Sequence, residues 1–211
     1  MKILCFGDSI TYGESDEIAG GWVERLKVDL IKRYQNQIRQ EVTICNLGIG
    51  GETTDGLARR FQNEFNARVH KNEKSIVILF YGTNDIVIHK QKNTVPIKYF
   101  YRNIASCIDY CRNLDSTVFL IGSFPVSQNN DGKINQHGQV RYKQDVTIYN
   151  ERLKAIANEN ACEFVDLLGE FECLSHESYF ALDKVHPNEN GHYKIYELVL
   201  ERLVQSGVII K

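Results

Sequence analysis

Four short segments of this sequence carry polar residue types that together could perform acyl transfer. They are Gly7-Asp8-Ser9, residues 48–54, Gly82-Thr83-Asn84-Asp85 and residues 183–188. Ser9 would supply the nucleophile, His186 would accept its proton, and Asp183 would accept the second imidazole N–H and fix the orientation of the ring. The amide of Asn84 and the backbone N–H groups of Gly51 and Ser9 could bind an oxyanion. These residues account for each role that acyl transfer requires.

Each segment also has a purely structural interpretation. Ser9 could simply begin a helix, Gly51 could be needed only for its backbone conformation, and Asn84 could belong to a plain turn. His186 and Asp183 could be ordinary loop residues. Four such coincidences are needed at once, so the sequence favours the catalytic interpretation.

Several polar residues near these segments, or elsewhere, have no obvious chemical step. Asp8 and Asp85 adjoin the candidate catalytic residues, and we predict that both hold loops in place. The remaining histidines have no motif context and are predicted to lie at the surface: His70, His89, His137, His176 and His192.

Apolar runs typical of strands buried on both faces alternate along the chain with segments of helical apolar spacing. Strands are predicted at residues 3–6, 42–47, 75–81, 117–122 and 162–166, and helices at residues 22–31, 97–114, 146–158 and 189–205, with another around Leu57, Phe61 and Phe65. The alternation predicts an α/β protein with a parallel sheet covered on both faces, as one domain over residues 1–211. The carboxyl ends of the strands lie at one edge of such a sheet, so the four polar segments would meet there. The polar segment 127–142 is predicted to be a surface loop.

Bulk properties narrow the class of protein. A formal net charge of -2 gives no reason to expect a nucleic acid partner, and no apolar run has the length of a membrane span. Met1-Lys2 leads directly into the first predicted strand, which leaves no room for a secretory signal. Several cysteines, among them Cys5, Cys45 and Cys162, lie inside apolar runs, and the six are predicted to be reduced thiols. Cys107 and Cys111 are not accompanied by further residues at zinc spacing. We therefore expect a cytoplasmic protein without stable membrane association; its oligomeric state is left open.

The four segments resemble the diagnostic blocks of the SGNH hydrolases, also called GDSL esterases and lipases. The matching motifs are Gly7-Asp8-Ser9-Ile10, Asn46-x-Gly48-x-x-Gly51-x-Thr53, Gly82-x-Asn84-Asp85 and Asp183-x-x-His186-Pro187. The resemblance implies a flavodoxin-like three-layer α/β/α sandwich with a five-stranded parallel sheet. It also implies Ser9 as nucleophile, His186 as base and Asp183 as its orienting acid, with Gly51 and Asn84 as oxyanion donors. Ile10 replaces the leucine of the family name, and Glu52 stands where the family often has Asp.

The sequence therefore predicts a serine-dependent esterase that cleaves a small-molecule carboxylic ester through an acyl-enzyme, with no cofactor and no metal. A lysophospholipase, a thioesterase or an acyltransferase of the same family remains an alternative. A phosphate-binding protein using Gly48 to Gly51 is a weaker one, because neither a G-x-G-x-x-G motif nor a P-loop lysine is present. Ile86, Val87 and Ile88 follow the third segment. They are predicted to line an acyl pocket, which favours short acyl groups; the alternative is that they simply pack against the sheet.

Overall fold

The structure is a computed structural model that describes residues 1–35, 41–70, 73–173 and 176–210, with only the backbone of His176 included. Its strands are β1 Lys2–Gly7, β2 Thr43–Gly48, β3 Ser75–Phe80, β4 Ile88–His89, β5 Lys92–Asn93, β6 Thr117–Ile121, β7 Gln139–Val140 and β8 Glu163–Val165. Five of them form a sheet in the order β2-β1-β3-β6-β8, in which neighbouring strands are parallel. The predicted five-stranded parallel sheet is confirmed.

The helices cover both faces of this sheet. They are α1 Ser9–Tyr12, α2 Trp22–Tyr34, α3 Thr54–Asn66, α4 Ile97–Arg112, α5 Lys143–Glu159, α6 Leu167–Glu172 and α7 Glu189–Gln205, with a 3₁₀ helix at His176–Tyr179. One core cluster unites the sheet with α3, α4 and α5, and a second unites it with α2, α6 and α7. The predicted α/β/α layering is therefore also confirmed. No helix in the described ranges is both long and apolar enough to cross a membrane.

β1 shows why the sheet-forming runs are apolar throughout. Ile3 and Cys5 belong to the core cluster on the α2 side, whereas Leu4 and Phe6 belong to the cluster on the α3 side. Successive side chains of a strand point to opposite faces, so a strand covered on both faces needs apolar residues at every position. The strand register pairs Gly7 with Gly48 of β2 and with Phe80 of β3. The polar segments that begin at or just after these residues therefore lie side by side at the carboxyl edge of the sheet.

The polar segment 127–142 is only partly the surface loop that was predicted. Residues 131–138 are exposed, but Ser127 is buried, and β7 pairs with β4 in a small antiparallel sheet of order β5-β4-β7. Strands of two residues have no detectable periodicity, and tertiary contacts alone decide their pairing. This pairing brings Arg141 to the loop that follows β3, where its side chain donates to the carbonyl of Thr83.

The prediction for the histidines outside the motifs is wrong in one case. His70, His89 and His137 are exposed, and the side chain of His176 lies outside the described residues. His192, on α7, is fully buried, and its Nε2 lies 2.9 Å from the carbonyl oxygen of Glu14. Burial lowers the pKa of this imidazole. His192 lies three and seven residues before the buried Ile195 and Val199, so the helical spacing of α7 contained the signal for its burial.

Asp8 and Asp85 do hold loops, as predicted. Asp8 caps α1, because its Oδ1 accepts the backbone N–H of Ile10 at 2.9 Å. Oδ1 of Asp85 accepts the backbone N–H of Thr54 at 3.0 Å and its hydroxyl at 2.5 Å, which ties the loop after β3 to the start of α3. The carboxylate of Asp85 already occupies that helix N-terminus, which disfavours the phosphate-binding alternative for the preceding glycine loop.

Asp85→Asn should flatten the pH dependence of the free energy of unfolding. Burial raises the pKa of Asp85 to about 6, although the hydrogen bonds from Thr54 lower it in part. From pH ~4 to ~6 the folded chain thus holds a proton that the unfolded chain has released, and stability falls as pH rises through this window. Urea denaturation at pH ~5 and ~8 should show a loss from this group on the order of 1–1.5 kcal/mol in the wild type, because this pH interval covers about one unit of the window.

The same loss should be absent in Asp85→Asn, while burial of Asp8 continues to contribute in the same direction. Asp109→Asn is the matched control, since it removes one carboxylate charge from an exposed surface pair with Arg112. A slope in Asp85→Asn equal to that of the control would contradict a proton on Asp85 in the folded state.

Candidate active site

Ser9 lies directly after the carboxyl end of β1, in the first turn of α1. Its side chain is largely buried, with 8% of the residue exposed, and its Oγ lies 2.8 Å from Nε2 of His186. A serine hydroxyl at this distance from an imidazole nitrogen can lose its proton to that nitrogen.

Asp183 and His186 come from one loop that is closed by its own hydrogen bonds. Oδ2 of Asp183 lies 2.5 Å from Nδ1 of His186, while Oδ1 accepts the backbone N–H groups of Val185 and His186 at 2.9 and 3.0 Å. Burial alone would raise the pKa of Asp183, but these hydrogen bonds outweigh it and hold the pKa below its usual value. The carboxylate therefore stays ionised at neutral pH and keeps the second imidazole proton on Nδ1.

The order of the strands explains how Asn84 reaches this site. The chain leaves β1 to one side to form β2 and then returns to the other side to form β3, which opens a crevice beyond the carboxyl ends of β1 and β3. The Nδ2 amide of Asn84 donates to the carbonyl of Glu52 at 3.1 Å and to Oδ2 of Asp8 at 3.3 Å. These contacts connect the segments after β1, β2 and β3.

Gly51 lies in the loop after β2 with a positive φ of 71°. No atom lies within 4 Å of the place where a Cβ would stand, so glycine is required here by the left-handed backbone and not by crowding. Within the described ranges, neither the N–H of Gly51 nor that of Ser9 forms a hydrogen bond. Both donors are thus free to bind an incoming oxygen.

A buried polar cluster that sequence reasoning missed supports the loop of Gly51. The carboxylate of Glu52 pairs with Arg60, with Nη2 and Oε2 2.5 Å apart, and accepts the hydroxyl of Tyr81 at 2.7 Å. Arg60 also donates to the carbonyl of Leu47 at 2.6 Å. Because Glu52 is the residue next to Gly51, this cluster ties the loop of Gly51 to the end of β2 and to Tyr81 after β3. The three side chains come from different elements, and only the fold shows that they meet.

Arg141 is a second residue that the sequence did not identify. Its Nε donates to the carbonyl of Thr83 at 3.1 Å, and its Nη2 lies 3.5 Å from Oδ1 of Asn84. A guanidinium can only donate, so this contact holds the amide with its oxygen toward Arg141 and its NH₂ toward Asp8 and Glu52.

The carboxyl group of Asp8 is fully buried beneath this site. Burial raises the pKa of Asp8 to about 7, with a further upward contribution from Asp85, whereas the N–H of Ile10 and the charge of Arg141 lower it in part. Asp8 therefore changes its protonation near neutral pH.

A cavity of about 730 Å³ opens beside His186. Of the residues predicted to line an acyl pocket, Ile86 is part of the cavity wall, whereas Val87 is 3% exposed and is not. The backbone N–H groups of Ile86 and Val87 donate to the carbonyls of Gly82 and Asn84, so this part of the chain is a turn in which neighbouring side chains do not simply alternate.

No group of three or more His, Cys, Asp or Glu side chains within the described residues is arranged to hold a metal ion. The donor set of the site is instead a serine, an imidazole and a carboxylate already engaged with one another.

A family model matches residues 5–194 of the chain; it describes the GDSL-like Lipase/Acylhydrolase family. The match spans all four polar segments, from Ser9 to His186.

Two curated relatives and one solved structure are similar to the chain. An uncharacterized lipoprotein, YqeF, of Bacillus subtilis is 29% identical over 61% of this chain and 50% of its own length. A multidomain esterase of Ruminococcus flavefaciens is 27% identical over 96% of this chain and 28% of its own length. The chain thus spans half or less of these relatives. The crystal structure of a lipase/acylhydrolase from Enterococcus faecalis superposes with a TM-score of 0.74 at 23% identity, covering 96% of this chain and 94% of the other, and shows the same fold.

Proposed function

Because the chain belongs to the GDSL-like lipase/acylhydrolase family, we propose that it is a serine-dependent hydrolase of carboxylic esters. One observation carries the proposal: an unbroken chain of contacts runs from Ser9 Oγ to His186 Nε2 at 2.8 Å, and from His186 Nδ1 to Asp183 Oδ2 at 2.5 Å. The proposed nucleophile, base and orienting carboxylate therefore lie within hydrogen-bond distance of one another. The similarity to the Ruminococcus esterase supports the ester as the bond that is cleaved.

In the proposed reaction, Ser9 Oγ attacks the ester carbonyl carbon while its proton passes to His186 Nε2. The tetrahedral intermediate collapses when His186 returns this proton to the alkoxide of the leaving alcohol. A water molecule then gives a proton to His186 and attacks the acyl carbon. The second tetrahedral intermediate collapses when the bond to Ser9 Oγ breaks and His186 returns that proton to Oγ, which releases the carboxylic acid. Throughout, ionised Asp183 stabilises the imidazolium form of His186.

The oxyanion would be bound by the backbone N–H groups of Ser9 and Gly51 and by the amide of Asn84. The N–H of Asn84 that reaches Asp8 is the natural donor, because its contact of 3.3 Å is longer than the 3.1 Å contact with Glu52. An oxyanion is a stronger acceptor than a carboxyl group that is partly protonated at neutral pH.

Asn84→Ala should lower kcat by roughly 10²- to 10³-fold with a much smaller change in KM, because the amide binds the developing oxyanion more strongly than the ground-state carbonyl. Steady-state kinetics on a single activated ester measure both constants. Thermal unfolding of the variant checks that the loops of Asp8 and Glu52 keep their structure. An effect on KM alone would make Asn84 a substrate-binding residue and would contradict its oxyanion role.

A panel of p-nitrophenyl esters from acetyl to palmitoyl tests the proposed function. We expect hydrolysis of acetyl to hexanoyl esters, with kcat/KM falling for longer chains. Each methylene that leaves water gains about 0.8 kcal/mol only where the wall is apolar, and much of this cavity wall is polar, with residues such as Asn130, Gln136 and Arg141. Absence of turnover with every ester would overturn the proposed function, and faster turnover of palmitoyl esters would assign a long-chain substrate instead.

We propose the cytoplasm as the place of action, since all six cysteines are free thiols and Cys5, Cys107 and Cys111 are buried. Because one curated relative is named a lipoprotein, cell fractionation with an antibody against the chain is the direct test. Recovery in the membrane fraction would contradict the proposal.

A further inference from the structure

We propose that the cavity beside His186 binds an anionic group of the ester substrate, a carboxylate, phosphate or sulfonate, through Lys133, Arg141 and Lys184. The inference rests on the proposed esterase function and narrows its substrate class. It follows from the charges that face the cavity, where three cations accompany a single carboxylate that is held within its own loop.

Three cationic side chains line the cavity, and Asp183 is the one carboxylate of the described residues that lines it with them. Asp183 is not available to these cations, because both of its oxygens accept hydrogen bonds within its own loop. Lys133, Arg141 and Lys184 form no ion pair with any residue in the described part of the chain. The cavity wall therefore carries more positive than negative charge, with three cations and one carboxylate.

Arg141 is the strongest single indication. It is half-buried, and burial lowers the pKa of its guanidinium. Its described contacts engage Nε and Nη2 with uncharged oxygens of Thr83 and Asn84, which leaves N–H groups of the fork without a described partner. A partly buried guanidinium is normally paired with an anion, because removing its charge from water is costly. The unused donors and the missing anion are both explained if the substrate supplies a carboxylate or phosphate.

Asp8 and Asp183 both favour the charged form of Arg141. Asp183 is held by its own loop, which leaves Asp8 as the group that could balance the guanidinium. Its carboxyl oxygens, however, accept hydrogen bonds from Ile10 and Asn84 and not from the guanidinium. Burial also raises the pKa of Asp8 to about 7, so that this group is neutral in a large share of molecules at neutral pH. Asp8 therefore balances the positive charge of Arg141 only in part, and an anionic ligand could balance the remainder.

The loop of Lys184 is held in a conformation that side-chain-bearing residues rarely adopt. Lys184 has a positive φ of 58°, and Asn130 clamps the loop by donating from Nδ2 to the carbonyls of Asp183 and Lys184 at 3.2 and 3.0 Å. A left-handed backbone at a non-glycine residue costs free energy and is found most often at functional sites. Here it places a cation on the cavity wall one residue after the candidate catalytic acid.

The position of Arg141 also locates the anionic group relative to the reaction. Its Nη2 lies 3.5 Å from Oδ1 of Asn84, whose NH₂ is the proposed oxyanion donor. An anion bound by the free N–H groups would thus lie within a few bonds of the scissile carbonyl, on either the acyl or the alcohol side.

Two series of matched esters test the inference on the complete protein. On the alcohol side, 2-sulfoethyl acetate is compared with neutral 3,3-dimethylbutyl acetate and cationic acetylcholine. On the acyl side, monoethyl succinate is compared with neutral ethyl levulinate. In at least one series we expect kcat/KM for the anionic ester to exceed that for the neutral ester by about 10- to 100-fold, the size of one or two charge-assisted hydrogen bonds. Acetylcholine should be the poorest acetate.

Substitutions in the cavity wall then test whether these cations cause the preference for anionic esters. Lys133→Gln and Arg141→Gln should each lower the ratio of kcat/KM for the anionic over the neutral ester by about 5- to 10-fold, and Arg141→Lys should retain more of it than Arg141→Gln. Lys98→Gln is the matched control, because this exposed lysine at the start of α4 does not line the cavity and its loss changes the net charge equally. The control should leave the ratio unchanged.

Equal kcat/KM for anionic and neutral esters in both series would overturn the inference while leaving the esterase function intact. So would a ratio that falls as much in Lys98→Gln as in Lys133→Gln, since the preference would then reflect net charge alone. Turnover of none of the esters would overturn both proposals. A preference that weakens as sodium chloride is raised to about 0.5 M would further support a charged contact.

Discussion

Ser9→Ala is expected to lower kcat for an activated short-chain ester by roughly 10⁴- to 10⁶-fold while leaving the fold intact. The hydroxyl that lies 2.8 Å from His186 is the atom that would form the acyl-enzyme, and alanine offers no substitute. The substitution removes one oxygen from a site that is 8% exposed, so little packing is lost. Residual activity would come from water and the oxyanion donors alone.

The chain offers a matched control in Ser123, which is also buried at the carboxyl edge of the sheet, just after β6. Its Oγ has no hydrogen-bond partner among the described residues, so Ser123→Ala should keep kcat within a few-fold of wild type. A sulfonyl fluoride should label the wild type and Ser123→Ala, with the label on Ser9, and should leave Ser9→Ala unlabelled. Wild-type turnover by purified Ser9→Ala would refute the assignment of the nucleophile.

Asp183→Asn is expected to lower kcat by about 10⁴-fold. The carboxylate accepts the proton on Nδ1 of His186 and leaves Nε2 free to accept the proton of Ser9. An amide NH₂ at the same place would donate to Nδ1, which favours the tautomer with its proton on Nε2, where it blocks the base. KM should change far less, because Asp183 does not contact the reacting carbonyl in the proposed mechanism.

The same variant should fold normally, since the amide oxygen of Asn can still accept the backbone N–H groups of Val185 and His186. Asp131→Asn is the control: its carboxylate accepts the backbone N–H of Lys143 at 2.9 Å but has no described contact with the imidazole. That variant should retain kcat within about 2-fold, as is usual for surface substitutions. If Asp183→Asn kept more than about a tenth of wild-type kcat, a role in fixing the tautomer would be wrong.

Much of the architecture was readable from the sequence because it depends on local patterns. A strand covered on both faces must be apolar at every position, so the apolar runs around Ile3, Ile76 and Phe119 were enough to predict the central strands. Asp183 and His186 are three residues apart in one loop, and the hydrogen bonds that join them are almost independent of the rest of the fold. The glycines and polar residues at the ends of the strands marked the edge where a site would form.

Other features depend on contacts between elements distant in sequence, and only the tertiary structure decided them. Arg141 reaches the site because β7, a strand of two residues, pairs with β4, and such short strands leave no periodic signal. Glu52, Arg60 and Tyr81 meet because three elements converge on them. Ile86 and Val87 are both buried, but only Ile86 belongs to the cavity wall, a difference that neighbouring positions in the sequence do not reveal. Long-range packing sets which charged side chains face a shared cavity and which lack a partner, so the charge of the cavity beside His186 could be recognised only from the folded chain.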